Sequence, residues 1–436
     1  MEIVDAILAA GADPSTADNT GITVLMMAAS VGNIDICKLI IEANNSSVDY
    51  VNQSADNGGF ALMFAAGSGH TEAVQFLMSM GANPAKVVEA NAAYITQLAE
   101  LVSAGRTDVE EHVDHLTALH VAAQGGHRDV CQLLINAAPE LVNALDSEGR
   151  SPLVLAVKSN YGSTATLLLE EGGADPNVAY RSDDETMKTH NLLMDSLIVE
   201  NEKFATLLIE KGANLDFVDV EGGNVSLLLQ AAHRGLSKVV EAMLTKLLDS
   251  SSASIIELAS DEGITPLIAA ASEGHVETYQ ALVARGANVN AADKDGTSAL
   301  MAACARGHTD LVRAMLKVSG IELNGQNTDG HTALMFAYNG KNQVETLWER
   351  YVLFLQDQEE SGDEVDKDDA TGTRIEASLE KHSELVKELI AAGADEGLKD
   401  KEGHVAKDFD FVPESELNEE VLEAEKKRKS KSSDEL

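Results

Sequence analysis

The chain has 436 residues, is 44% apolar but only 4% aromatic, and carries a formal net charge of −40. An acidic excess on that scale excludes general affinity for nucleic acid or anionic membranes, because a phosphate-binding surface has to be basic. No apolar run approaches the ~18 residues that a membrane helix needs, so membrane insertion is not expected, and the three cysteines form no zinc spacing.

In chain order, Glu2 to Ala10 places Ile3, Val4, Ile7 and Leu8 on one face. It reads as the second helix of a repeating unit whose first helix is missing, stopped by Gly11-Ala12-Asp13-Pro14. Units then start near Gly21 and Gly58. Residues 85–113 are too long for a loop between units, and Val88 to Val102 is rich enough in Ala and Leu to predict an inserted helix. Regular units resume near Asp114 and Glu148. A weak unit at Asn191–Asn214 shows only a second helix, and the unit from Glu221 to Ser260 carries a Ser-rich insertion from Asp249 to Ser254. Three strong units begin at Asp261, Lys294 and Thr328. The last is broken by Gln356 to Asp369, which holds eight acids against one Lys and predicts a disordered acidic insertion over 356–374. The helix resumes at Leu385 and ends at Gly393-Ala394-Asp395.

The units share a phrase. It is clearest at Gly263-Ile264-Thr265-Pro266-Leu267-Ile268-Ala269-Ala270-Ala271-Ser272-Glu273-Gly274-His275, and it recurs from Gly296 to His308 and from Asp114 to His127. Gly263 and Gly296 are 33 residues apart, and Gly296 and Gly330 are 34 apart. A fixed period of that length marks a solenoid, in which each unit buries its apolar face only against its neighbours. The phrase resembles the ankyrin repeat, and Thr117-Ala118-Leu119-His120 lies nearest that family's Thr-Pro-Leu-His signature. The resemblance implies an all-α solenoid of about ten helix-turn-helix repeats joined by short β-hairpins. It spans residues 1–411 and leaves a charged tail, 412–436.

Chemistry is sparse. His70, His127, His275 and His308 recur once per unit, which favours bonds to the backbone over a shared metal. Cys37, Cys131 and Cys304 read as buried free thiols. The acidic insertion fails as a calcium loop, because Ala370 and Thr371 stand where an oxygen ligand and Gly are wanted. No phosphate-cradling Gly-Lys-Ser/Thr loop, Gly-x-Ser-x-Gly elbow or His-Glu-x-x-His pair occurs. The expectation is a non-catalytic chain without metal or cofactor.

The resemblance also implies where a partner sits, namely on the hairpin tips and the concave face of the first helices. Those tips carry Asp56, Asp114, Glu148, Glu221, Asp261, Glu262, Asp295 and Asp329, with Lys294 the basic exception. Such a ridge suits a basic segment of another protein. The first-helix ends are mixed: Ser30, Val31, Gln124, Lys158 and Ser159 early in the chain, then His233, Arg234, Ser272, Glu273 and Arg306. The expected function is a protein–protein interaction scaffold or adaptor. A regulatory subunit for an enzyme on another chain and a lumenal binding protein remain open. Lys426, Lys427, Arg428 and Lys429 resemble a nuclear-import signal, while Ser433-Asp434-Glu435-Leu436 resembles the Lys-Asp-Glu-Leu retention signal. The expected compartment is therefore the cytoplasm or nucleus, with the endoplasmic reticulum lumen as the alternative.

Overall fold

A single repeat shows how the sequence makes its unit. Thr265 leaves extended backbone, and its hydroxyl accepts the N–H of Ile268 at 3.3 Å. That satisfies one of the orphan donors of the first helix. Pro266 occupies the first helical position, where its missing N–H costs nothing. Gly274, at φ 79°, closes the helix in the left-handed conformation that suits Gly, and His275 begins the second helix, Val276–Ala284. The first helix buries Leu267, Ala270 and Ala271, so small side chains bring neighbouring helices close.

The structure, a computed structural model, describes residues 2–88, 115–181, 189–248, 253–361 and 370–409. It divides into two compact units, Met1–Asn214 and Leu215–Leu436. Unit 1 opens with α1 (Glu2–Ala9), then α2 (Val24–Ser30), α3 (Ile34–Ala43) and a single turn α4 (Val48–Val51). It continues through α5 (Ala61–Gly67), α6 (Thr71–Ser79), α7 (Ala118–Gln124), α8 (Arg128–Ala137), α9 (Pro152–Lys158) and α10 (Gly162–Glu170). A hairpin of β1 (Ala179–Arg181) and β2 (Thr189–Asn191) precedes α11 (Leu192–Ile198) and α12 (Glu202–Glu210). First helices stack in the order α2, α5, α7, α9, and second helices stack behind them.

Unit 2 begins with the hairpin β3 (Val218–Asp219) and β4 (Val225–Ser226), followed by α13 (Leu227–His233) and α14 (Ser237–Leu248). Helices α15 (Pro266–Glu273), α16 (Val276–Ala284), α17 (Ala299–Ala305) and α18 (Thr309–Met315) follow. The unit closes with α19 (Ala333–Ser361) and α20 (Ala370–Ala391). Its first helices stack as α13, α15, α17, α19.

One expectation is corrected here. The weak unit at Asn191–Asn214 has both helices, because Asn191 caps α11 by accepting the N–H groups of Leu193 and Met194, and Leu192, Leu193 and Leu197 are fully buried. Of the acidic segment expected over 356–374, residues 356–361 end α19 and 370–374 open α20, while 362–369 lie outside the described residues. A small core of Trp348 and Val352, flanked by Tyr351 and Ile375, joins these two long helices beyond the stack. That cluster gives the extended helices a reason to form where composition alone suggested solvation. The helix expected over 85–113 falls, from residue 89 onward, outside the described residues.

The recurrent histidines are structural. Nε2 of His70 meets the carbonyl of Ser30 at 3.0 Å, His127 that of Gly67 at 2.9 Å, His275 that of His233 at 3.0 Å, and His308 that of Ser272 at 2.9 Å. Each imidazole thus bonds the preceding repeat rather than its own, and lies over a Gly there. A Cβ on Gly274 would sit 2.5 Å from Nδ1 of His308. Cys37, Cys131 and Cys304 are buried and free. Burial pushes the Cys37 thiol up to about 11 and Cys131 to about 12, so neither is a nucleophile at neutral pH.

Candidate functional site

The hairpin tips come first. At the tips of Asp18, Asp146, Asp293, Asn327 and Asp400 the side-chain Oδ1 accepts two backbone N–H groups, as Asp293 Oδ1 does from Asp295 at 3.0 Å and Thr297 at 2.8 Å, while Ser260 takes this place before Gly263. The turn then passes through a Gly at positive φ, which no larger residue adopts without strain. Consecutive tips are stitched together. Glu262 O accepts from Lys294 N at 3.0 Å, Asp295 O from Thr328 N at 2.8 Å, and Asp329 O from Lys401 N at 2.9 Å.

That stitching places the residues before Gly263, Gly296, Gly330 and Gly403 in one row: Glu262, Asp295, Asp329 and Glu402, all exposed. Glu402 was not singled out from sequence, although Lys401-Glu402-Gly403 repeats the spelling of Lys294-Asp295-Gly296. Asp261 is also exposed, but its carboxylate accepts from the Asn224 side chain. Glu221 is exposed one turn earlier. Among the described residues, unit 1 lacks this row. Its pre-Gly positions are Thr20, Asn57 and Glu148, and Glu148 is held by Arg150 Nη1 at 2.7 Å. Asp56 is half-buried, with its N–H bonded to Thr20 O at 3.0 Å. Asp114 lies outside the described residues, as do Lys426, Lys427, Arg428, Lys429, Ser433, Asp434, Glu435 and Leu436.

The opposite ends of the first helices form a second row. Counting from each cap, the eighth residue is Arg234, Glu273 and Arg306 in successive repeats of unit 2. Glu273 Oε1 binds Arg306 Nη1 at 2.8 Å and lies 3.8 Å from His233 Nδ1. In unit 1 the same positions are Val31, Ser68, Gly125, Ser159 and Val199, none charged. Between the rows, the fourth residue after the cap is Gln230, Ala269, Ala302 and Phe336 in the repeats of unit 2, and Met27, Phe64, Val121, Leu155 and Asp195 in those of unit 1, with Ala269 and Leu155 buried. Met27 is 61% exposed and Val31 74% exposed.

Two buried groups titrate away from their ordinary values for identifiable reasons. Burial pushes His120 down, against the raising effects of Asp146 and the carbonyls of Arg150 and Ala144. Its Nδ1 accepts the Thr117 N–H at 3.1 Å, which leaves Nε2 to donate to Ala144 O at 3.1 Å. Burial would push Asp400 up, but the N–H groups of His404 and Glu402 and the His404 imidazole hold it below the usual carboxylate range. Both groups brace hairpins. Among the described residues, no three His, Cys, Asp or Glu side chains are arranged to hold a metal ion, and no helix is long and apolar enough to cross a membrane.

A family profile described as "Ankyrin repeats (3 copies)" matches residues 1–88, 89–180, 193–293 and 285–353. The chain belongs to the ankyrin repeat family. It is 25% identical over 429 residues to the ankyrin repeat and KH domain-containing protein mask-1 of Caenorhabditis elegans, covering 92% of this chain and 15% of that one. It is 29% identical over 197 residues to the ankyrin repeat protein nuc-2 of Neurospora crassa, covering 45% of this chain and 17% of that protein. A 63-residue stretch is 36% identical to the tyrosine-protein kinase HTK16 of Hydra vulgaris, covering 14% of this chain and 8% of the kinase. The chain therefore spans less than a fifth of each of these relatives. Ankyrin repeats are, in general, protein–protein interaction modules, and the all-α repeat architecture expected from the sequence is the one observed.

Proposed function

We propose that this ankyrin chain is a non-catalytic scaffold or adaptor whose unit 2 binds a basic segment of a partner protein. The observation that carries this reading is the exposed row Glu262, Asp295, Asp329 and Glu402, with Lys294 and Lys401 beside two of its members, held in register by tip-to-tip backbone bonds. Backbone stitching fixes the spacing of the charges, so a partner meets a pre-organised line instead of scattered acids. The exposure of the four side chains makes their main contribution one of steering and specificity.

The test is charge reversal. Glu262→Lys, Asp295→Lys and Asp329→Lys together should weaken binding of a Lys-rich peptide to the full chain by about tenfold or more at low salt, and flatten the salt dependence. An unchanged affinity and salt slope would remove the row from the function.

A further inference from the structure

We infer that one end of the acidic row is proton-sensitive: His331 and His404, which share the buried carboxylate of Asp400, take up protons as pH falls and set positive charge against Glu402, so that a basic partner segment is released at mildly acidic pH. This rests on the reading of the tip row given above and adds a regulation of that same surface.

The geometry carries the inference. Two neighbouring hairpin tips bring two imidazoles onto one oxygen, with Asp400 Oδ2 3.5 Å from His331 Nε2 and 3.2 Å from His404 Nδ1. The other oxygen accepts the N–H groups of Glu402 at 2.9 Å and His404 at 2.8 Å, which fixes the orientation of the carboxylate. The Asp400 side chain is 2% exposed, whereas those of His331 and His404 are 31% and 48% exposed and so exchange protons with solvent. His404 Nδ1 also lies 3.6 Å from Oε2 of Glu402, a member of the row. His331 stands two residues after Asp329, a second member.

Charge counting gives the sign. Histidine is the side chain whose charge ordinarily changes between about pH 5 and pH 8. Burial would push Asp400 up, but the bonds from His404 and Glu402 hold it below the usual carboxylate range, so it stays an anion across that interval. One buried carboxylate offsets one imidazolium. With both rings protonated a positive charge is left over, and Glu402 is the acid beside it. The other groups packed here leave that charge in place. Phe336 and Phe409 meet the rings edge-on, Lys407 is held by Glu396 at 2.7 Å, and Asp408 accepts the Val405 N–H. Lys401, exposed beside Glu402, adds to it. Positive charge at this end of the row opposes a basic segment on approach and in the complex.

The experiment uses the full chain and a Lys-rich peptide, with affinity measured at low salt near pH 7.5 and near pH 5.5. The parent is expected to lose roughly fivefold in affinity over that interval, and the double variant His331→Gln with His404→Gln about twofold, the remainder coming from the other histidines. Gln keeps an N–H for Asp400. His404→Gln alone, which leaves His331 on Asp400, should fall between the two, and His233→Gln, at the far rim, should lose as much as the parent. Equal losses in the parent and the double variant, with Asp295→Lys still weakening binding at pH 7.5, would overturn the proton response and leave the row standing. Binding that is absent at pH 7.5, or indifferent to Asp295→Lys, would overturn the row and this inference together.

Discussion

Apart from the long α19, unit 1 and unit 2 build first helices of seven or eight residues, yet they leave different side chains facing outward. In unit 1 the fourth position after the cap is Met27, Phe64, Val121, Leu155 or Asp195, and the eighth is uncharged in every repeat. Unit 2 holds Gln230, Ala269, Ala302 and Phe336 at the fourth position and adds charge on both sides, with Glu262, Asp295 and Asp329 at the tips and Arg234, Glu273 and Arg306 at the helix ends. The residues that make the stack are alike in both: Leu119 and Leu300 are equally buried, and the caps Thr117 and Ser298 accept the same N–H. Positions that face neighbours are constrained by packing, while positions that face away are free to differ. One scaffold can therefore carry two surfaces.

The largest test of this contrast cuts the shared part. Leu119→Ala and Leu300→Ala should each cost about 2–5 kcal/mol of stability in urea unfolding. Neither should change peptide affinity measured at full native occupancy, since neither residue reaches a rim. A loss of affinity in Leu300→Ala beyond its unfolded fraction would tie the surface to the core and weaken the contrast.

Next comes Gly274→Ala. The added Cβ meets His308 Nδ1 at 2.5 Å on a backbone at φ 79°, so the variant should lose about 1–3 kcal/mol from strain and displacement of the imidazole. A melting temperature equal to the parent's would show that the His308 contact to Ser272 is dispensable.

Reversing charge separates the units directly. Asp295→Lys should weaken a Lys-rich peptide about threefold to tenfold, whereas Glu148→Lys in unit 1 should change it by less than about twofold, because Glu148 is already occupied by Arg150. Equal effects would mean that net charge alone, and not the row, attracts the peptide.

The smallest effect is a pH slope. His120 has its folded value lowered by burial, so the unfolded chain takes up the proton first as pH falls below about 6.5. Stability from His120 is therefore present at pH 7.5 and declines as pH drops through the unfolded and then the folded value. Thermal unfolding of His120→Gln should show a shallower loss between pH 7 and pH 5.5 than the parent. Parallel slopes would place the titration elsewhere.

Much of the fold could be read from the chain because each repeat spells its own cap, helix and stop, as Thr265, Pro266 and Gly274 do. The reading failed where local words were weak but packing was strong. Asn191 and Leu192 lack the usual phrase yet make a buried, capped helix, and Trp348 and Val352 of α19 pack against Ile375 of α20 in a contact no local pattern announces. The surface was half legible. Acidic tips were visible, but which of them align depends on backbone bonds between units about 33 residues apart, and so Glu402, which shares the row, was not singled out. The partners of the recurrent histidines, carbonyls of the preceding repeat such as Ser30 O and Ser272 O, were hidden for the same reason.

The most direct measurement places a photo-cross-linking residue at Asp295 in one variant and at Asn57, the corresponding tip of unit 1, in another, and maps the adducts formed in native cells. The account predicts a discrete adduct from position 295 to a segment rich in Lys or Arg, with none from position 57. Adducts of equal yield from both tips, or an adduct at 295 to a segment without basic residues, would contradict it.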